Sequence, residues 1–444
     1  MYALLQLCGV LHNYFCFHPF SGSFENPAIF SMLLSFCMPI GYYYALKSEG
    51  REKLFWRISS LLILWFVVLS NSRTALISVA LAIGFMSYME SGQIKSLAGR
   101  KHFRWLALIG MLVVGVCLYI YKQDSADGRI LIWRVSSELV MEKPLWGWGA
   151  EGFVSQYMNR QADYFMQHPH SSFSLLAGEV SHPLNEFILV AVNYGLIILI
   201  GLLAAILFTF RSIICSLYPE RLLIAGLFMV LNVWCLFSYP FMIPFVWLVV
   251  LFFVIVAYEP LVVRYSPKFV SICVFCLCLI WGIILFKWYV KEIPRIYIQE
   301  ESLSEQTEEI VVRYAAMYED YQENRLFLYN YGALLHYIGR YKESLTVLSQ
   351  CAQHMADYNV QLLLGDDYQH LGMLDSAIMA YRRAHAMIPS RFLPLYYEMR
   401  LYQNIGNMDQ AKALAEIIID KEEKVENSAK VRAIKQRAET VLAE

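Results

Sequence analysis

Ionised residues are scarce in the first 290 positions of this 444-residue chain, and three residues there have types suited to chemistry: Arg73, Arg129 and His182. An arginine suits phosphate, because its planar fork binds two oxygens at once and keeps its charge at any working pH. A histidine suits proton transfer, because its ordinary pKa of about 6.5 lies near neutrality. Each has a bland reading as well. Arg73 can snorkel to headgroup phosphates, Arg129 can pair with Asp124 or Asp127, and His182 can satisfy a helix start. His168-Pro169-His170 invites a metal, but no Cys or acidic ligand stands at metal spacing, so no metal ligands are expected. The chain carries no phosphate-binding glycine loop, no Gly-x-Ser-x-Gly elbow and no His-Glu-x-x-His.

The elements that hold these residues are read from composition. Hydrophobic residues make up 58%, charged residues 16%, and mean hydropathy is +0.45. This excludes an ordinary soluble enzyme and a disordered chain. A net charge of −1 offers no basic field for nucleic acid. The charge is uneven: 33 charged residues fall in 1–290 and 40 in 291–444. An oily part therefore precedes a water-soluble tail. Of ten cysteines only Cys351 lies in the tail, and Cys273, Cys276 and Cys278 share one apolar run, as buried thiols do.

A helix needs about 20 apolar residues to cross a bilayer. Nine segments are expected to do so: 2–18, 27–46, 54–70, 73–90, 104–121, 185–209, 221–238, 241–258 and 269–289. Basic residues mark the cytoplasmic side. Lys47, Arg51, Lys53 and Arg57 form one cluster, and Lys95, Arg100, Lys101 and Arg104 a second. Arg211 with Arg221, and Arg264 with Lys268, complete the set. All fall on one side of a nine-span chain. The turn at Ser21–Asn26, the long loop 122–184 and the tail then lie outside, with Arg73 at an outer mouth, where an ionised residue suggests function. The loop is too long for a mere connection and is rich in aromatics and glycines, which predicts order. Gly128 is expected to break the chain before a helix that starts near Arg129. Pro183 is expected in the first turn of span six, with His182 and Asn185 three residues apart on one helix face.

The tail repeats. Gly332, Leu335, Gly339, Tyr341 and Ser344 recur as Gly365, Tyr368, Gly372, Leu374 and Ala377, and Gly406, Met408 and Ala411 continue the pattern, with Ala384 and Pro389 closing the second unit. The period and positions resemble tetratricopeptide repeats, whose stacked helix pairs form a concave surface; the tail is expected to be either a rigid spacer or a docking surface for a protein partner or acceptor. The segment 421–438 is expected to be a solvated capping helix. The fold class is thus all-α: a polytopic bundle over 1–290, a linker or helix over 291–324, and a repeat solenoid over 325–444.

Four segments in order resemble the O-antigen ligase and polymerase family of membrane glycosyltransferases. They are Gly22-Ser23-Phe24-Glu25-Asn26-Pro27, Ser72-Arg73-Thr74-Ala75, Gly128-Arg129 to Trp133 with Pro144-Leu145-x-Gly-x-Gly, and His182 to Gly195. The resemblance covers about 15–260. It departs where Leu184, not a histidine, precedes Asn185, and where the chain starts close to the Asn-Pro turn. It implies transfer of a glycan from a polyprenyl-pyrophosphate carrier to an acceptor hydroxyl outside the bacterial cytoplasmic membrane, without metal or cofactor. The acceptor would be lipid A core, a polysaccharide or a protein. Arg73 and Arg129 would stabilise the leaving pyrophosphate, and His182 would accept the hydroxyl proton. Arg134, Trp133, Glu186, Asn185 and Asn26 would hold substrate, Glu186 also orienting the imidazole. The rival expectation is a non-enzymatic membrane anchor or transporter presenting the repeat scaffold.

Overall fold

The computed structural model describes residues 2–11, 21, 22, 24, 27–92, 96, 99, 101–262, 267–424 and 428–444. Among the described residues all regular structure is helical: 19 α-helices and one 3-10 turn. The chain divides into two compact units. One comprises 1–123, 184–190 and 197–267, and the other 124–183, 191–196 and 268–444.

The first unit contains α1 (Tyr2–Leu7), α2 (Pro27–Lys47), α3 (Gly50–Leu69), α4 (Arg73–Glu90) and α5 (Lys101–Tyr121). It also holds most of α8 (Glu186–Cys215), with α9 (Arg221–Phe237) and α10 (Pro244–Val262). Helix α2 packs on α3, α4 and α9 around Met32, Ala75, Phe228 and Trp234. Small residues permit the close crossings, as apolar helices without a hydrophobic drive between them require. A Cβ on Gly41 would stand 2.6 Å from Ser60 Oγ, and one on Gly226 2.6 Å from Met86 Sδ. Polar pairs lock the bundle: Trp234 Nε1 donates to Ser35 Oγ at 3.3 Å, and Lys47 pairs with Glu90 at 2.7 Å.

Among the described residues, two helices are long and apolar enough to cross a membrane, Pro27–Lys47 and Glu186–Cys215. Arg221–Phe237 and Pro244–Val256 are apolar but shorter. Of the first expected span, a helix exists over Tyr2–Leu7, and 12–20 lie outside the described residues. Span six departs from a straight rod. Gly195 takes φ 81° and ψ 176°, which kinks α8 one third of the way along.

The second unit joins the expected outer loop to the tail. Helix α6 (Gln123–Glu142) runs unbroken through Gly128, so the expected break there does not exist. An isolated glycine is tolerated inside a helix at a cost of about 1 kcal/mol. Arg129 consequently sits in the second turn of α6, not at its start. A turn and α7 (Gly152–Gln167) follow. Helix α11 (Pro267–Ser304) and α12 (Glu308–Tyr321) occupy 291–324. Tyr314 stacks on Tyr331 at 5.2 Å and 4°, which fastens α12 to α13 (Arg325–Tyr337).

From there the chain forms antiparallel neighbours: α14 (Tyr341–His354), α15 (Tyr358–His370), α16 (Leu374–Met387), α17 (Leu393–Asn404) and α18 (Met408–Asp420). Gly339, Gly372 and Gly406 end helices at φ 87°, 74° and 78°, the left-handed cap that favours glycine. Gly332 and Gly365 serve packing instead. Added Cβ atoms would meet Leu348 and Tyr381 at 2.6 and 2.5 Å. The last helix, α19, spans Ala429–Ala443 rather than 421–438. Lys421 leaves α18 with extended backbone, and its ammonium reaches back to the Pro389 carbonyl.

Candidate functional site

Arg73 is the first residue of α4. Ser72 caps that helix, its Oγ accepting from the Ala75 N–H at 3.3 Å, and Asn71 turns the chain at φ 55°. Arg73 donates to the Lys122 carbonyl at 3.3 Å, while Lys122 Nζ donates to the Asn71 carbonyl at 2.9 Å. This exchange ties the α3–α4 turn to the end of α5. A guanidinium at a helix N-terminus faces the positive end of the backbone dipole, a position that an anion would relieve.

Also in the first unit, Asn185 caps α8. Its Oδ1 accepts from the N–H groups of Phe187 and Ile188 at 2.9 and 3.0 Å. Glu186, 4% exposed, accepts from the Phe241 N–H at 3.3 Å and so fixes the 3-10 turn Pro240–Met242. Its carboxylate borders a cavity of 190 Å³ walled by Phe228, Leu231, Phe253 and Asn232. Gly22 takes φ 66°, and its N–H and that of Ser21 donate to Gln6 Oε1 at 3.0 and 3.2 Å. Asn26 lies outside the described residues.

In the second unit, Arg129 and Trp133 are four residues apart on α6 and share one face. Trp133 Nε1 donates to the Pro183 carbonyl at 3.0 Å. That bond draws the bend holding His182, which is buried at 7% exposure, onto the Arg129–Trp133 face. The bend is not helical. Leu184 adopts φ 55° and Asn185 is the cap, so α8 begins at Glu186. The expected helix-face relation of His182 to Asn185 therefore does not hold, and Pro183 precedes the helix. A left-handed leucine is strained, and such strain often accompanies functional turns. Arg134 points away from Trp133, as consecutive helical residues do, and lies over the Tyr164 ring at 5.1 Å.

Sequence reasoning missed the partner of the glycine-rich turn. The kink at Gly195 frees backbone groups of α8, and Pro144–Gly149 satisfies them. Trp148 N–H donates to Val192 O at 2.9 Å and Gly149 N–H to Asn193 O at 2.8 Å, while Leu196 N–H donates to Pro144 O at 2.7 Å. Asn193 completes the junction, accepting from Phe153 N–H at 2.9 Å and donating to Ala150 O at 2.7 Å. Lys143 Nζ sits 3.8 Å over the Trp148 ring. The available signal was an asparagine followed two residues later by glycine inside an apolar helix.

Residues 58–203 match the family model for O-antigen ligase. The matched stretch contains Arg73, Arg129, Trp133, the Pro144–Gly149 turn, His182 and Gly195; the tail lies beyond it. The match supports the O-antigen ligase family, and with it glycosyltransferase-type activity on a glycan in a membrane setting. No curated protein and no solved structure matches the chain.

Proposed function

From the O-antigen ligase match over 58–203, we propose that this protein transfers a glycan from a polyprenyl-pyrophosphate carrier to an acceptor hydroxyl at the outer face of the cytoplasmic membrane. The hydroxyl oxygen attacks the anomeric carbon, and the carbon–oxygen bond to the pyrophosphate breaks. The electron pair leaves with the carrier, the hydroxyl proton passes to His182, and the configuration inverts. Arg73 and Arg129 meet the charge that grows on the leaving group, a role in which fixed cations in a low-dielectric setting are most effective. Trp133 positions the His182 bend through its bond to Pro183. Glu186 and Asn185 hold the start of α8.

The chain is read as a nine-span protein of the bacterial inner membrane with its tail outside. The two long apolar helices support that reading. The tail is read as a tetratricopeptide-like solenoid that presents a partner surface. Its 33- and 34-residue spacing of capping glycines supports this.

The carrying observation is that the matched stretch includes all three proposed catalytic residues. A glycan profile of a deletion strain tests the function and selects the acceptor. Loss of surface polysaccharide, loss of protein glycosylation, or shortened chains would each name a different one. An unchanged profile would contradict the proposal.

A further inference from the structure

Helix α6, helix α7 and the segment after them border an open surface depression in the outer-loop part of the second unit. It offers about 460 Å³ of space and is open to solvent. Tyr164 backs it. Arg134 lies over that ring at 5.1 Å, and the His168 ring stacks on it at 4.7 Å and 22°. His168 Nδ1 is engaged with the Tyr164 carbonyl at 3.0 Å, which directs ring-edge chemistry to Nε2. Ser171 Oγ meets the Tyr164 hydroxyl at 3.3 Å, and His170 and Ser172 complete the polar rim.

The charge of this depression is one-sided. None of its lining residues is acidic. Among the described residues no carboxylate lies within ion-pair distance of Arg134, whereas most other tail and loop arginines engage one, as Arg160 does with Glu142, Arg383 with Asp163 and Arg325 with Glu151. No group of three or more His, Cys, Asp or Glu stands together among the described residues, so a cation has no ligand set here. A guanidinium backed by an aromatic ring, two imidazoles and serine hydroxyls is the chemistry that recognises anionic oxygens carried on a hydroxylated ring.

We propose that Arg134, Tyr164, His168 and Ser171 form a subsite for an acidic sugar residue of the transferred glycan, whose carboxylate the Arg134 guanidinium holds. The inference rests on the glycan-transfer reading and gives it a substrate class. The site differs in position from the Arg129–Trp133 face, because Arg134 turns to α7 while Trp133 turns to Pro183.

The test uses the full chain in detergent and measures binding directly, apart from turnover. A trimer of galacturonic acid, maltotriose and inorganic phosphate are each titrated by ligand-observed saturation-transfer NMR. The acidic trimer should bind, and maltotriose should bind at least about tenfold more weakly. Arg134→Gln and His168→Gln should each weaken the acidic trimer, the former about tenfold or more, as expected for loss of a charged hydrogen bond. Arg73→Ala should leave this binding unchanged. Equal binding of the two trimers, or full binding by Arg134→Gln, overturns the proposal. So does inorganic phosphate displacing the acidic trimer at equal concentration, which would assign the site to a phosphate. Retained binding without glycan transfer would instead overturn the transfer reading alone.

Discussion

Gln161 and Met387 stand 226 positions apart in the chain, and Gln161 Nε2 donates to the Met387 carbonyl at 2.6 Å. The same amide nitrogen reaches the Gly178 carbonyl at 3.1 Å, and Gln161 Oε1 accepts from the Tyr157 hydroxyl at 2.9 Å. Gln161 is 0% exposed. Around it, Arg383 pairs with Asp163 at 2.5 Å, and the Ala356 N–H donates to the Val154 carbonyl at 3.1 Å. The segment that carries Arg129 and His182 is thus built into the same body as the repeat helices.

Gln161→Leu should loosen that joint. It strands the buried Met387 carbonyl and the Tyr157 hydroxyl, at about 1–3 kcal/mol each, and removes the donor to the half-buried Gly178 carbonyl. Hydrogen exchange of α7 in the full chain should accelerate, while exchange in α2 and α9 stays unchanged. Arg383→Ala removes a half-exposed pair and should do much less. Equal exchange in wild type and Gln161→Leu would show that the joint carries no stability.

Gly195→Ala should be among the most damaging small substitutions. A Cβ there would stand 2.1 Å from the Leu145 carbonyl oxygen, and the backbone occupies a region open mainly to glycine. The backbone strain alone costs about 1–3 kcal/mol. Gly147→Ala should behave alike, since its Cβ would meet Asn193 backbone at 2.5 Å. Gly128→Ala has open space and should be neutral or slightly stabilising. Thermal melts of the detergent-solubilised variants check this order, and a Gly195→Ala melt equal to wild type would contradict it.

His385 makes the second unit sensitive to acid. Burial, then the nearby Lys421 charge, lower its pKa from 6.5 to about 4. Between those values the unfolded chain binds a proton that the folded chain refuses, so stability is full above 6.5 and falls as pH drops towards 4. The loss amounts to about 3 kcal/mol on complete passage. Exchange protection of α16, corrected for the intrinsic pH dependence, should decline across that window and flatten in His385→Gln. A profile that is flat in wild type would remove His385 as the cause.

Much of this was legible because it is local. The segment expected over 73–90 does begin as a helix at Arg73, where Asn71 is left-handed and Ser72 is the cap. Gly339, Gly372 and Gly406 carried the repeat in their spacing because each solves the same capping problem. The joint of Gln161 with Met387 left no such trace, since a contact across 226 positions imposes no pattern on either segment. The kink at Gly195 was hidden by its apolar surroundings; its cause is the distant turn that replaces the lost hydrogen bonds. His182 was placed on a helix because three-residue spacing fits one, and the left-handed Leu184 breaks that spacing.

The central claim is that Arg73, Arg129 and His182 carry glycan transfer. Purified full-length protein, given a lipid-linked glycan and acceptor, tests it with Arg73→Ala, Arg129→Ala and His182→Ala at matched membrane abundance and melting temperature. Each should lower kcat by about 100-fold or more, the usual cost of losing a group that meets transition-state charge or moves its proton. Wild-type turnover in any of the three would contradict the role assigned to that residue, and wild-type turnover in all three would contradict the account.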